Sequence, residues 1–549
     1  MKRLLAVAAA ATVAVGVAGT AAAHGADPAP SAKPAAASGY NPPPITWHKC
    51  QAGWNKAGFQ CGRLIVPLDY SHPQGRKISL AVSRIKHTVP RSKYQGVMLT
   101  NPGGPGGSGL ILPILKYYVP NHAGDAYDWI GFDPRGVGSS RPSLTCNQYF
   151  FHGDRPQYRP VTGTIMHQWV TRSKRYARQC VDAKHSALFN HVKTVDTVND
   201  MESLRKALHA KKINYYGFSY GTYLGQVYAT LHPNRVRRFV LDSNVDPKRV
   251  FYKSNQDQDR AFQKTFNIYF HWLARYHRVY HVGATFHNAR ARWIAARRHL
   301  DKHAARGILG GDELIDVFTS AGYYVYGWED IAKAWSAYEN QHNPRPLIRM
   351  YKSANPITKG ADNGYAMYLG TQCTDAPWPH NQAKTNRDNW RLDKRYSYFT
   401  WSNAWFNGPC DYWKFPAGQP VQVSGANVKT PILMIDETYD AATPYPGNLV
   451  VRHLFPSASL IEGLDGSTHA GSLSGVACTD DTIARYLTKG TVPRRKAHYG
   501  ADKICPPVPQ PNPTASGAAT PNAAAANSVI ASLYAKARQE IARDSALIG

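Results

Sequence analysis

Ile213-Asn214-Tyr215-Tyr216-Gly217-Phe218-Ser219-Tyr220-Gly221-Thr222-Tyr223-Leu224 is the stretch that decides the fold. Its first four residues are β-prone, the residues after Gly221 read as a helix, and between them stands G-x-S-x-G. At a strand-to-helix turn that pattern is a nucleophile elbow. A serine on such a turn has its Oγ pushed into the open. The flanking glycines let the backbone close up without Cβ clashes, and the helix N-terminus behind it favours developing negative charge. No second G-x-S-x-G occurs in the chain.

Outward from the elbow, short apolar runs lie at 64–68, 78–82, 97–100, 129–132, 239–241, 432–435 and 460–461. Several are continuously apolar, the pattern of strands covered on both faces. Met201, Leu204 and Leu208 mark an amphipathic helix between two of them. Strands alternating with helices predict a mostly parallel α/β sheet. From about residue 248 to 403 the β runs vanish. Phe262, Phe266, Tyr269 and Trp272 recur there at helical spacing, so a large helical insertion before the last two strands is expected. No repeat of 20–50 residues is visible.

A serine is a weak nucleophile until a base, itself held by an acid, takes its proton. In an elbow fold the acid and then the base follow the serine. Past the run at 432–435 stand Asp436, Glu437 and Asp440. Asp440, in the turn beyond the strand end, is the expected acid, and Asp436 the structural one. Past the run at 460–461, His469 sits in a Gly-rich loop and is the expected base out of 22 histidines. His453 reads as surface.

The loop Asn101-Pro102-Gly103-Gly104-Pro105-Gly106-Gly107-Ser108-Gly109 directly follows a strand. Its small residues let backbone N–H groups approach a substrate oxygen. The expected oxyanion donors are Tyr220, the residue after the nucleophile, and Gly104, with Gly103 the near alternative. The loop lacks the G-K-[ST] of a phosphate loop. Its match to a dinucleotide fingerprint is weak, because Pro105 removes an N–H where a pyrophosphate would need one. No cofactor is expected. Asp133 and Arg135, after another strand, are expected to pair as a brace beside the site.

The 549 residues, 43% hydrophobic and 18% charged, are long enough for a sizeable core. Lys2 and Arg3, the apolar run 4–17 and Ala21-Ala22-Ala23 read as a secretory signal peptide cleaved near Ala23. The run is shorter than the roughly 20 residues that cross a bilayer. Residues 24–44 read as a flexible linker or propeptide and 507–549 as a Pro/Ala-rich tail. Within that tail, apolar spacing from Ile530 to Ile541 offers a helix as the lesser reading. The core is expected at 45–247 and 404–506. All eight cysteines, Cys50, Cys61, Cys146, Cys180, Cys373, Cys410, Cys478 and Cys505, follow the signal. In an exported chain they imply four disulfides, and sequential pairing closes the shortest loops. No Cys/His spacing suits a metal. The formal charge of +29 is spread along the chain, with denser runs at 235–238, 290–298 and 494–496. A nucleic-acid binder would concentrate it on one face. An anionic cell-wall surface is the expected partner, if the charge has one.

Taken together, NPGGPGGSG, GFDPRGVGSS, NYYGFSYGTYLG, ETYDAATP and GSTHAG resemble the secreted tripeptidyl aminopeptidases. These are proline-iminopeptidase-like serine peptidases of the α/β-hydrolase fold. The resemblance runs from about residue 46 to 506. It implies a triad of Ser219, Asp440 and His469, a helical lid, four disulfides, and release of tripeptides from free peptide N-termini. The family's acid motif commonly reads like ELDPVTP; here an aromatic residue precedes Asp440. A secreted carboxylesterase with the same triad is the alternative, and a non-catalytic wall-binding protein a distant third. An aminopeptidase needs carboxylates in its lid for the substrate ammonium. Asp375, beside Cys373, and Glu329 are the expected ones, ahead of Asp257, Asp259 and Asp330.

Overall fold

The computed structural model describes residues 39–514 and 528–546; the expected signal peptide and residues 24–38 lie outside the described residues. The strands are β1 (His48–Lys49), β2 (Phe59–Pro67), β3 (Lys77–Ile85), β4 (Val97–Asn101), β5 (Asp128–Phe132), β6 (Ile213–Phe218), β7 (Val236–Asp242), β8 (Ile432–Glu437), β9 (Ala458–Gly463) and β10 (Lys503–Cys505). Among the described residues they form one sheet in the order β1-β2-β3-β5-β4-β6-β7-β8-β9-β10. The β1–β2, β2–β3 and β3–β5 pairs are antiparallel. From β5 through β10 every pair is parallel.

The continuous apolar runs follow from burial on both faces. Along β6 to β9, Tyr215, Leu241, Met434 and Leu460 enter one core with Leu204 and Leu224. Their neighbours Tyr216, Val240, Leu433 and Ile461 enter the other with Ile483 and Leu487. Both faces of one strand are therefore paid in apolar side chains, and no polar alternation survives in the sequence.

Between β7 and β8 the chain is helical from Tyr252–Arg275 to Thr400–Asn407. Phe262, Phe266, Tyr269 and Trp272 are all buried on one face of the first of these helices. Phe262 stacks on Phe399, and Trp272 meets Trp328 edge-on, so the insertion's aromatic rings pack on one another within the core that also holds Tyr215 and Leu241. Disulfides join Cys50–Cys61, Cys146–Cys180, Cys373–Cys410 and Cys478–Cys505. No helix among the described residues is long and apolar enough to cross a membrane.

Three expectations need correction. The expected tail is packed: Ser528–Ala546 is a helix that buries Leu533, Tyr534, Ala537 and Ile541. Apolar residues three and four apart on one face outweigh the Pro/Ala-rich stretch before them. Ahead of it, Val508 is buried and its N–H donates to Glu437. The expected linker ends early, because Tyr40 is buried and donates its hydroxyl to Ile65 O. Arg135 does not pair with Asp133. It forks onto Asp200 at 2.8 and 2.6 Å, while Asp133 accepts from Ser108 Oγ and Ser139 N. Burial drives each charge to the donors or acceptors its own loop offers, and Asp133, pushed up to about 6 by burial, is served by hydroxyl and backbone donors.

Candidate active site

Four loops leave the carboxyl ends of parallel strands in the middle of the sheet, where α/β folds build their sites. Gly104 follows β4, Ser219 follows β6, Asp440 follows β8 and His469 follows β9. In the sheet order β4-β6-β7-β8-β9 the serine strand has the Gly-rich loop on one side. Asp440 and His469 lie on the other.

Ser219 has φ 55° and ψ −127°, a strained backbone for a residue with a Cβ. The turn survives because its glycines leave room. A Cβ on Gly217 would meet Gly221 O at 2.7 Å, and one on Gly221 would meet Asn101 Oδ1 at 2.8 Å. Ser219 N donates to Asp242 O at 3.0 Å, which ties the elbow to the end of β7.

His469 Nδ1 donates to Asp440 Oδ2 at 2.7 Å, with both side chains fully buried. Asp440 Oδ1 accepts from the N–H groups of Ala442 and Thr443 at 2.8 and 2.9 Å, and Thr443 Oγ1 donates to Oδ2 at 3.0 Å. Burial pushes this carboxyl up, but the imidazole and these donors outweigh it and hold Asp440 below the usual carboxylate range. With its proton on Nδ1, His469 keeps Nε2 as an acceptor; that atom is buried and has no hydrogen bond among the described residues. Asp436 is not on the imidazole: Asn448 Nδ2 donates to it, and burial pushes its pKa far up. His453 is exposed on the helix Tyr445–Leu454.

The two candidate donors in the Gly-rich loop are distinguishable. Gly103 N already donates to Asn101 Oδ1 at 3.0 Å, whereas Gly104 N has no acceptor among the described residues. Tyr220 opens the helix Tyr220–Leu231, so its N–H has no intrahelical partner. Gly104, Ser219 and Tyr220 line one cavity of about 510 Å³, within the size range of small-molecule and peptide sites.

Of the two carboxylates expected in that cavity, neither lines it. Asp375 is sealed: Oδ1 accepts Thr194 N at 2.6 Å, and Thr194 Oγ1 serves its other oxygen. Burial pushes Asp375 up to about 7. The same Thr194 hydroxyl meets Tyr220 Oη at 2.7 Å, so Asp375 braces the residue after Ser219 instead. Glu329 lies on the helix Trp328–Gln341 and pairs with Lys333 at 3.3 Å. Asp259 is buried on Asn403, also off the cavity. The carboxylates that do line it are Asp246 and Asp257. Asp257 is held by Arg249 and Arg260. Asp246 accepts only Lys248 N, at 2.9 Å, and carries no ion pair among the described residues.

Other contributors escape sequence reading because their partners are distant in the chain. Glu437 accepts Thr468 N at 2.5 Å and Val508 N at 2.6 Å, which steadies the loop ahead of His469. Asp242 accepts Ser472 N at 2.9 Å, and Ser243 Oγ accepts Ala470 N at 2.8 Å. From the C-terminal helix, Arg538 donates to Ala470 O and Ser472 O, and Tyr534 to Leu473 O. Elsewhere Asp154, Asp312 and Glu313 bring ligand atoms within 4.8 Å of one another. Arg155 already ion-pairs with the last two at 3.2 and 2.8 Å, so they have their counter-charge.

A family model described as alpha/beta hydrolase fold matches residues 96–470. The tripeptidyl aminopeptidase of Streptomyces lividans is 38% identical over 480 residues, covering 85% of this chain and 88% of that protein. Serine protease Hip1 of Mycobacterium tuberculosis (strain ATCC 25618 / H37Rv) is 28% identical, covering 82% and 90%. A protein of the same strain named Carboxylesterase B is 26% identical, covering 79% and 85%. The chain belongs to the tripeptidyl aminopeptidase family of serine peptidases, built on the α/β-hydrolase fold.

Proposed function

We propose that the protein is a secreted aminopeptidase that releases tripeptides from free peptide N-termini through an acyl-enzyme on Ser219. The observation that carries this reading is the buried Asp440–His469 pair at 2.7 Å beside a cavity that Ser219 lines. The tripeptide length rests on the name of the Streptomyces relatives. Ser219 Oγ attacks the scissile carbonyl carbon while His469 Nε2 takes its proton. Asp440 holds the imidazole in the tautomer that leaves Nε2 open and stabilises the imidazolium. The N–H groups of Tyr220 and Gly104 receive the oxyanion. The imidazolium then protonates the departing amine, and water, activated by the same base, releases the tripeptide. Asp246, the cavity carboxylate without an ion-pair partner, receives the substrate ammonium. Secretion is supported by the leader-like residues 1–23 and by the four disulfides.

The test uses a chromogenic tripeptide arylamide, its N-acetylated twin, a short-chain aryl ester and the Ser219→Ala variant. Release from the free-amine substrate, lost on acetylation and in the variant, is the expected outcome. Ester hydrolysis without amide cleavage would overturn it in favour of the esterase reading, which the relative named Carboxylesterase B keeps open.

A further inference from the structure

The basic run at 494–496 has no role in the chemistry above. Two of its residues, Arg495 and Lys496, help to line a second concavity of about 410 Å³ together with Arg452, His453, Ala497, His498 and Tyr499. Five of these seven residues are basic. The acid in direct contact with them, Asp502, is spent: its oxygens take Arg452 at 2.9 and 2.6 Å, Leu460 N at 2.8 Å and Lys496 N at 2.7 Å. The guanidinium of Arg495 meets only carbonyls, those of Phe455, Ala458 and Arg452. Lys496 Nζ has no partner among the described residues, and His453 and His498 are exposed. The backbone of this wall is therefore tied down and Arg452 is matched by Asp502, while the charges of Arg495 and Lys496 meet no carboxylate among the described residues. Such a concavity attracts an anion.

Its position says which anion. Tyr499 lines this concavity and also the cavity that holds Ser219. The helix Tyr445–Leu454 borders both: Pro446, Gly447 and Val450 face the Ser219 cavity, and Arg452 and His453 the basic one. Val450 and His453 are one helical turn apart, roughly 5 Å along the axis. An extended peptide covers that in about two residues. A peptide that fills the Ser219 cavity as far as Val450 and Tyr499 thus has its next residues beside the basic wall.

We infer that the Arg495–Lys496–His453–His498 concavity is an anion subsite of the enzyme, taking a carboxylate of the peptide substrate itself. The carboxylate is an Asp or Glu side chain of a substrate residue that leaves the Ser219 cavity past Tyr499. This rests on the peptidase reading above.

The experiment measures kcat/KM for a set of free-amine hexapeptides. Each position in turn carries Asp, Ala or Lys, at low and at physiological salt. The enzymes are the wild type and the Lys496→Glu/His453→Glu double variant, both changed at exposed side chains. At one position Asp is expected to exceed Ala by about five- to tenfold and Lys to fall below it, with the preference weakened by salt. The double variant is expected to lose or invert that preference while cleaving the all-Ala peptide at the wild-type rate. Equal rates for Asp and Ala at every position, with normal turnover of the all-Ala peptide, would overturn the inference. No turnover of any peptide alongside ester hydrolysis would remove the peptidase reading itself. Soluble polyphosphate is the third arm. Competition with the acidic peptide supports the inference. Binding that the double variant loses, but that leaves acidic-peptide turnover untouched, would make the concavity an attachment site for anionic polymer and overturn it.

Discussion

Arg538 Nη2 donates to the carbonyl oxygen of Ala470 at 2.7 Å, so a residue near the C-terminus grips the backbone next to His469. Ala470 and Leu473 both sit at positive φ, 53° and 58°, without being glycine. Such backbone holds only where its surroundings over-determine it. Here the helix Ser528–Ala546 satisfies three carbonyls of that short turn, two through Arg538 and one through Tyr534. Arg538→Met is expected to lower kcat about ten- to a hundredfold with a smaller change in KM. Arg538→Lys, which keeps the charge but not the fork, should recover part of the loss. Steady-state kinetics beside a thermal melt separates a displaced imidazole from a misfolded chain.

Asp440→Asn should leave the fold intact and cost about four orders of magnitude in kcat, because the amide cannot hold Nδ1–H in place. Asp436→Asn should cost far less, since Asp436 faces Asn448 and not the imidazole. Reaction with a fluorophosphonate probe, followed by intact mass, checks both. Equal losses in the two variants would remove Asp440 from the acid's role.

Asp246→Asn is expected to lower kcat/KM for a free-amine tripeptide amide by about ten- to a hundredfold, the worth of a charge-assisted hydrogen bond. Hydrolysis of the acetylated substrate or of an aryl ester should change little. Glu329→Gln, at an exposed ion pair outside the cavity, should stay within about twofold on every substrate. A selective effect of Glu329→Gln on the free-amine substrate would contradict this assignment.

Glu437 couples pH to stability. Burial raises its carboxyl from 4.5 to about 8. The folded chain therefore binds a proton that the unfolded chain releases between those values. Its stabilising contribution is fully present below about pH 4.5 and is lost as pH rises towards 8, by at most about 1.4 kcal/mol per pH unit. In Glu437→Gln the amide oxygen can still accept from one of Thr468 N and Val508 N. That variant is expected to show a flatter fall in Tm between pH 5 and 8 than the wild type. Parallel melting curves across that range would overturn the assignment.

Much of the sheet was legible because burial on both faces leaves an unbroken apolar run, as in β4 and β8, whose residues are all buried. The two-residue β1 and three-residue β10 were not, since so short a pairing has no period of its own. The elbow was readable for a local reason as well: Gly217, Ser219 and Gly221 interact with residues a few positions away and with the ends of the two neighbouring strands, at Asn101 and Asp242. Asp440 and His469 could be ordered along the chain, because each follows a recognisable strand.

By itself the sequence determined what depends on near neighbours in the chain: the strand runs, the elbow and the Gly-rich turn. Tertiary structure alone decided which groups meet across the sheet. It put Asp375 on Thr194 rather than in the cavity, turned Arg135 from Asp133 to Asp200, and left Asp246 as the cavity carboxylate without an ion pair. It also brought Arg538 against Ala470, 68 positions away in the chain. A buried charge takes whatever partner the packed chain brings within hydrogen-bond reach, and that choice has no periodicity to read.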